Sequence, residues 1–189
     1  MGGTRDAERL VFFTDAVVAI AITLLVLPLV DAVGEAVDER HSSVEVVTGN
    51  VRQIFSFLLS FVVIAQLWTA HHRLFQGVST VGGGVVVLNM LWVLTIVALP
   101  FPTEMVGGYG DDRFTVVLYI GTILASSACL TALGVTVRGR LAGDGASMTV
   151  LLALALLVAG LVPGVAYWSL LLLFLGPLVG RLWPPPASS

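Results

Sequence analysis

Long apolar runs separated by short polar or Gly/Pro-rich breaks dominate this chain. Residues 10–30, LVFFTDAVVAIAITLLVLPLV, carry no ionisable group after Asp15. As a helix at ~1.5 Å per residue they reach about 30 Å, the thickness of a bilayer's hydrocarbon. Runs of similar character follow at 53–74, 85–101, 114–137, 148–161 and 165–182, so the pattern predicts six membrane-spanning helices. Between them it predicts a polar loop over 31–50, with five acids against one arginine, and a Gly-rich link over 82–84. Pro100 and Pro102 predict a helix stop, followed by a loop over 103–113; the Pro-rich stretch 183–189 predicts a flexible tail.

Composition agrees with the pattern. The 189 residues are 57% hydrophobic and 11% charged, with mean hydropathy +1.00, too little polar surface to cover a soluble globule. An all-α integral membrane protein with one domain over 1–189 is expected. A formal charge of -3 without a Lys/Arg cluster argues against nucleic acid as a partner. Cys129 is the only cysteine, which excludes an intrachain disulfide and a multi-thiolate metal site. No Ser/His/Asp spacing, HExxH or phosphate-binding glycine loop is present, so neither enzyme activity nor a cofactor is expected. Arg5 and Arg9 precede the first run as in a signal peptide, but the run is about 20 residues long and lacks a small-residue cleavage site, which predicts a retained helix.

Six spans put both termini on one side. With that side cytoplasmic it holds Arg5, Arg9, Arg73, Arg138, Arg140 and Arg181, six of nine arginines, as the positive-inside rule favours. Asp31, Glu35, Asp38, Glu39, Glu45, Glu104, Asp111 and Asp112 then fall outside, either as a cation-concentrating vestibule or simply as soluble loop. The basic residues are all Arg, which together with abundant Ala, Val and Gly hints at a GC-rich bacterial genome.

Two features of the spans carry candidate chemistry. Ala16, Ile20, Thr23, Leu27 and Val30 recur at steps of four and three and share one helical face, a candidate pore lining. Spacing alone leaves open a packing stripe in which Thr23 bonds back to the Ala19 carbonyl. Asp15 lies inside the first helix, where an unpaired carboxylate is expensive, so it needs a partner or water. Trp68, His71 and His72 at the end of the second span and Asn89 at the start of the third reach the same depth, predicting a polar cluster. Arg9 pairs with Phe13 at i,i+4 rather than with Asp15. His71 and His72 point ~100° apart and do not easily close on one metal ion; as histidines they could relay protons or hydrogen-bond at the interface. The string VGGYGDD, 106–112, echoes a carbonyl-type potassium filter, but only about three residues separate it from the proline stop, with no room for a pore helix.

Arg9-x-x-x-Phe13-Thr14-Asp15 resembles the R-x-x-x-F-S-D signature of the transmembrane protein 175 family of potassium channels, with Thr14 in place of Ser. WTAHHRLF in the second span and LNMLWVLTIVALPFPT in the third are also similar to the family's pattern. The resemblance covers the first hundred residues and the six-span layout, as in a prokaryotic member with one repeat per chain. It implies a homotetramer in the cell membrane, in contact with lipid, whose first helices line a central pore for permeant K+. It further implies a constriction at Ile20, Thr23 and Leu27, with apolar collars and a threonine hydroxyl layer instead of a carbonyl filter. Arg9, Phe13, Thr14, Asp15, Trp68, His71, His72 and Asn89 would form the helix-packing or gating network. The alternatives are a small proton-coupled secondary transporter, which would use Asp15 and the histidines, and a purely structural membrane protein.

Overall fold

The structure, a computed structural model, describes residues 3–110 and 112–139. They form seven helices: α1 Gly3–Leu24, α2 Leu27–Asp38, α3 Ser43–Gly49, α4 Val51–Phe75, α5 Gly83–Ala98, α6 Pro100–Tyr109 and α7 Arg113–Arg138. Grouped across short breaks, these residues give four helices long and apolar enough to cross a membrane: Asp6–Asp38, Val51–Phe75, Gly83–Tyr109 and Arg113–Arg138. The expected fifth and sixth spans, 148–161 and 165–182, and the tail 183–189 lie outside the described residues.

The second and fourth spans match the hydropathy pattern to within a few residues, but two breaks fall elsewhere. The loop expected over 31–50 is largely helical, because the chain restarts as α2 after a short interruption at Leu25 and Val26. Pro28 stands in the first turn of α2, where its missing N–H removes no intrahelical bond. A capping box then starts α3: the Ser42 hydroxyl accepts from the Glu45 N–H, while Glu45 accepts from the Ser42 N–H at 2.6 Å. The stop expected at Pro100 is likewise a restart. Pro100 opens α6 and the helix runs through most of the expected 103–113 loop to Tyr109. Gly83 and Gly84, expected to turn the chain, already belong to α5, with Gly82 as its N-cap.

The helices pack mainly as α5 on α7 and α4 on α6, with α1 laid across α4 and α5. Ile64, Trp92, Ile96, Leu99, Ile120 and Leu133 are fully buried at the centre. Gly107 lets α6 approach α4 closely, since a Cβ there would sit 2.9 Å from Gln53 Cγ. The side chain of Asp112 caps α7 by accepting from the Thr115 N–H at 3.0 Å. At the opposite end Arg138 Nη2 donates to the Arg73 carbonyl at 2.7 Å, satisfying the last turn of α4.

Candidate functional site

Two stripes run along α1 on the helical repeat, one ending at Leu25 in the break and the other continuing into α2. Ala7, Thr14, Val18, Ala21 and Leu25 are buried against α4 and α5. Ala16, Ile20, Thr23, Leu27 and Val30 are offset from them by two positions, about 200° around the helix, and all five are exposed. The contrast is large: Val18 and Ala21 retain 2% and 1% of their surface, Ile20 and Leu27 60% and 49%. The sequence-derived face is therefore the one that the described residues leave uncovered. The Thr23 hydroxyl donates to the Ile20 carbonyl at 2.7 Å, not to the Ala19 carbonyl of the packing-stripe alternative, because the helix tightens towards its end and Val26 N also bonds three residues back, to Thr23 O. With its hydrogen committed to the backbone, Thr23 Oγ1 presents lone pairs outward.

The polar cluster forms on the other face. Trp68 Nε1 donates to Asp15 Oδ1 at 2.7 Å, giving the carboxylate a charge-assisted bond. Behind it runs a fully buried relay with a fixed direction. Thr14 Oγ1 donates to the Leu10 carbonyl at 2.8 Å and accepts from Asn89 Nδ2 at 2.8 Å. Asn89 Oδ1 can only accept, so His71 Nε2, 2.7 Å away, carries the hydrogen. His71 then has a bare Nδ1, which is buried without a partner among the described residues, and its ring stacks on Trp92 at 4.3 Å.

Of the residues expected in this network, the structure brings together Thr14, Asp15, Trp68, His71 and Asn89. His72 joins only through a ring contact with Trp68 at 5.6 Å and points outward, so His71 and His72 do not converge on one ion. Arg9 and Phe13 are exposed and stand apart from the relay, because they lie on the open side of α1. Among the described residues Arg9 has no hydrogen bond or ion pair.

A second relay escapes the sequence pattern. Tyr119 OH, Ser60 Oγ and Thr103 Oγ1 are buried and joined at 3.0 and 2.8 Å, and Thr103 donates to the Leu99 carbonyl at 2.8 Å. It ties α4, α6 and α7 together. Its only signal in the sequence is a set of lone hydroxyls within apolar runs, which helices routinely satisfy on their own carbonyls. The string 106–112 holds no extended filter: residues 106–109 end α6, and Gly110 turns the chain at φ 63°.

Residues 9–100 match the family model described as the endosomal/lysosomal potassium channel TMEM175. A potassium channel of Chamaesiphon minutus is 35% identical over 130 residues, covering 64% of this chain and 60% of the relative. A potassium channel of Streptomyces collinus is 32% identical over 110 residues, covering 58% and 52%. The mouse endosomal/lysosomal proton channel TMEM175 is 26% identical over 123 residues, covering 65% of this chain. The matched part is about a quarter of that mammalian protein and between half and two thirds of the bacterial ones. The crystal structure of a lysosomal potassium-selective channel TMEM175 homolog from Chamaesiphon minutus superposes with a TM-score of 0.76 at 24% identity, over 94% of this chain and 99% of that one, a likeness in fold.

Proposed function

We propose that this chain, whose residues 9–100 match the TMEM175 family model, is a member of that family and a potassium-preferring cation channel of the bacterial cell membrane. Four copies surround a pore lined by α1, and both termini are cytoplasmic. The observation that carries this reading is the open face of α1, held outward by the anchored face opposite. Four Ile20 and four Leu27 side chains form apolar collars that dewet and close the pathway, and four Thr23 hydroxyls between them offer oxygen to a partly dehydrated ion. Potassium loses water more readily than sodium, so one hydroxyl layer yields moderate selectivity. Asp15, Thr14 and the relay behind them position α1 and touch no ion; Arg9 and Phe13, on its open side, pack against the neighbouring copy.

Relatives of this chain are named for potassium in bacteria and for protons in mouse, so proton conduction is the second reading. Purified protein in planar bilayers under a potassium-to-sodium bi-ionic gradient separates them. A reversal potential displaced towards that of potassium supports the channel, and Thr23→Ala then brings it closer to zero. A reversal potential that follows only an imposed pH gradient supports the proton reading. No current from intact tetramers, with saturable uptake instead, favours a secondary transporter.

A further inference from the structure

The first span, Asp6–Asp38, counts 33 residues where about 20 cross the hydrocarbon, so its end projects into water with Asp31, Glu35 and Asp38. There α2 and α3 pack on each other as a hairpin closed by the turn 39–42. Two valine triplets with the same three-and-four spacing stand on it: Val30, Val33 and Val37 on α2, and Val44, Val47 and Val51 on α3 and the start of α4. All six are exposed, from 49% at Val33 to 68% at Val37 and Val44.

Their directions follow from the residues that face inward. Ala36 is the buried residue of α2, and Val46 is half-buried in α3. At ~100° per residue, Val33, Val37 and Val30 are turned from Ala36 by about 60° to 120°, and Val47 and Val44 from Val46 by about 100° and 160°, in the same helical sense. In an antiparallel pair equal senses lead to the same side of the hairpin. Glu35 and Glu45 are turned by about 100° in the opposite sense, so carboxylates occupy the other side. Gly34 falls on the valine side. A Cβ there would meet nothing within 4 Å, so the packing of its own chain does not require this glycine, which weakens the helix interior relative to alanine.

An exposed apolar side of this kind marks an interaction surface. A bilayer surface fits it poorly, because helices that lie on membranes carry Lys or Arg on their polar face, whereas 31–50 holds five acids and one arginine. A second copy fits better. Val30 already belongs to the open face of α1, the second triplet runs on down α4 as exposed Phe55 and Leu58, and the missing side chain of Gly34 lets another backbone approach.

We propose that the valine side of this hairpin packs against the hairpin of a second copy, joining chains beyond the bilayer. The proposal rests on the reading that copies assemble and adds where they touch outside the membrane. Contact there holds the outer ends of neighbouring α1 helices at a fixed separation.

The test is cross-linking in membrane vesicles in a Cys129→Ser background, where a single introduced thiol can be bridged only between copies. Val37→Cys and Val47→Cys, treated with a short bifunctional maleimide, should give covalent dimers and larger species in severalfold higher yield than Glu35→Cys. All three positions are exposed, so the substitutions leave the core intact. Phe13→Cys, on the open side of α1, reports assembly independently. Cross-linking at Phe13 with none at Val37 and Val47, or equal yields on the two sides of the hairpin, would overturn the hairpin contact and leave assembly standing. No cross-linking at any of the four would contradict assembly itself, and the contact with it. An unlinked Val37→Cys whose attached spin label collides with lipid-dissolved oxygen would place the valine side on the bilayer and overturn the proposal as well.

Discussion

Thr14 and Thr23 stand on opposite faces of α1, and their two hydroxyls differ in what is left of them. Thr14 donates to Leu10 O and accepts from Asn89, so its oxygen is used in both directions inside the protein. Thr23 donates to Ile20 O in the same manner, but no donor among the described residues reaches it. The same side chain is an anchor on one face and a free acceptor on the other. What decides its role is the neighbour, Asn89 on α5 in the first case and open space in the second. A hydroxyl that has surrendered its hydrogen to the helix is suited to a cation and poorly suited to an anion.

The largest effect is expected from breaking the anchored face. Asn89→Ala strips Thr14 of a donor and leaves the His71 Nε2–H buried without an acceptor, at about 1–3 kcal/mol for each group so orphaned. Loss of the assembled species on a sizing column, or a clearly lowered melting temperature, is the expected result. Unchanged assembly would mean that the relay is not what positions α1. Asn89→Leu combined with His71→Leu should recover part of the loss, since removing both partners of a buried bond is milder than removing one.

The next effect belongs to the open face. Ile20→Asn or Leu27→Asn places a polar amide in the proposed apolar collar, and the wetted pathway should show a severalfold larger single-channel current. If both variants conduct like the parent, these side chains do not form the gate. Neither substitution should alter melting much, because both positions are exposed within one chain.

The relays also show what the sequence could reveal. Asp15 advertises itself, because a carboxylate inside an apolar helix demands a partner, and depth along antiparallel spans is enough to bring Trp68 to it and Asn89, with His71 behind, to its neighbour Thr14. Ser60, Thr103 and Tyr119 give no such signal: each hydroxyl can be satisfied locally, and their meeting depends on how α4, α6 and α7 rotate about their axes. Pro28 and Pro100 mislead for a related reason. Proline blocks helix continuation but suits the first turn of a new helix, so the same residue reads as a stop or as a restart. The segment 31–38 looks like loop because Asp31, Glu35 and Asp38 interrupt Val33, Ala36 and Val37, residues that α2 accommodates in a helix ending at Asp38.

The smallest effect concerns α3, outside the spans. The backbone N–H of Ser42 and then its hydroxyl hold the Glu45 carboxyl below the ordinary glutamate range. Because its folded value is depressed, the stabilisation is present above the unfolded value and is lost as pH falls through the folded one. Amide exchange in α3 should therefore quicken below the ordinary glutamate range, relative to exchange in α4, and Glu45→Gln should flatten that pH dependence. Equal pH dependence in α3 and α4 would remove the capping box as its source.

Whether ions pass along the open face of α1 and not the anchored one is decided most directly by cysteine accessibility. In a Cys129→Ser background, single cysteines at Ile20, Thr23 and Leu27 are compared with cysteines at Val18 and Ala21 while potassium current is recorded. A charged, water-soluble thiol reagent should block the first three and leave the last two untouched. Block at Val18 and Ala21 with none at Ile20, Thr23 and Leu27 would refute conduction along the open face and turn the pathway to the other side of the helix.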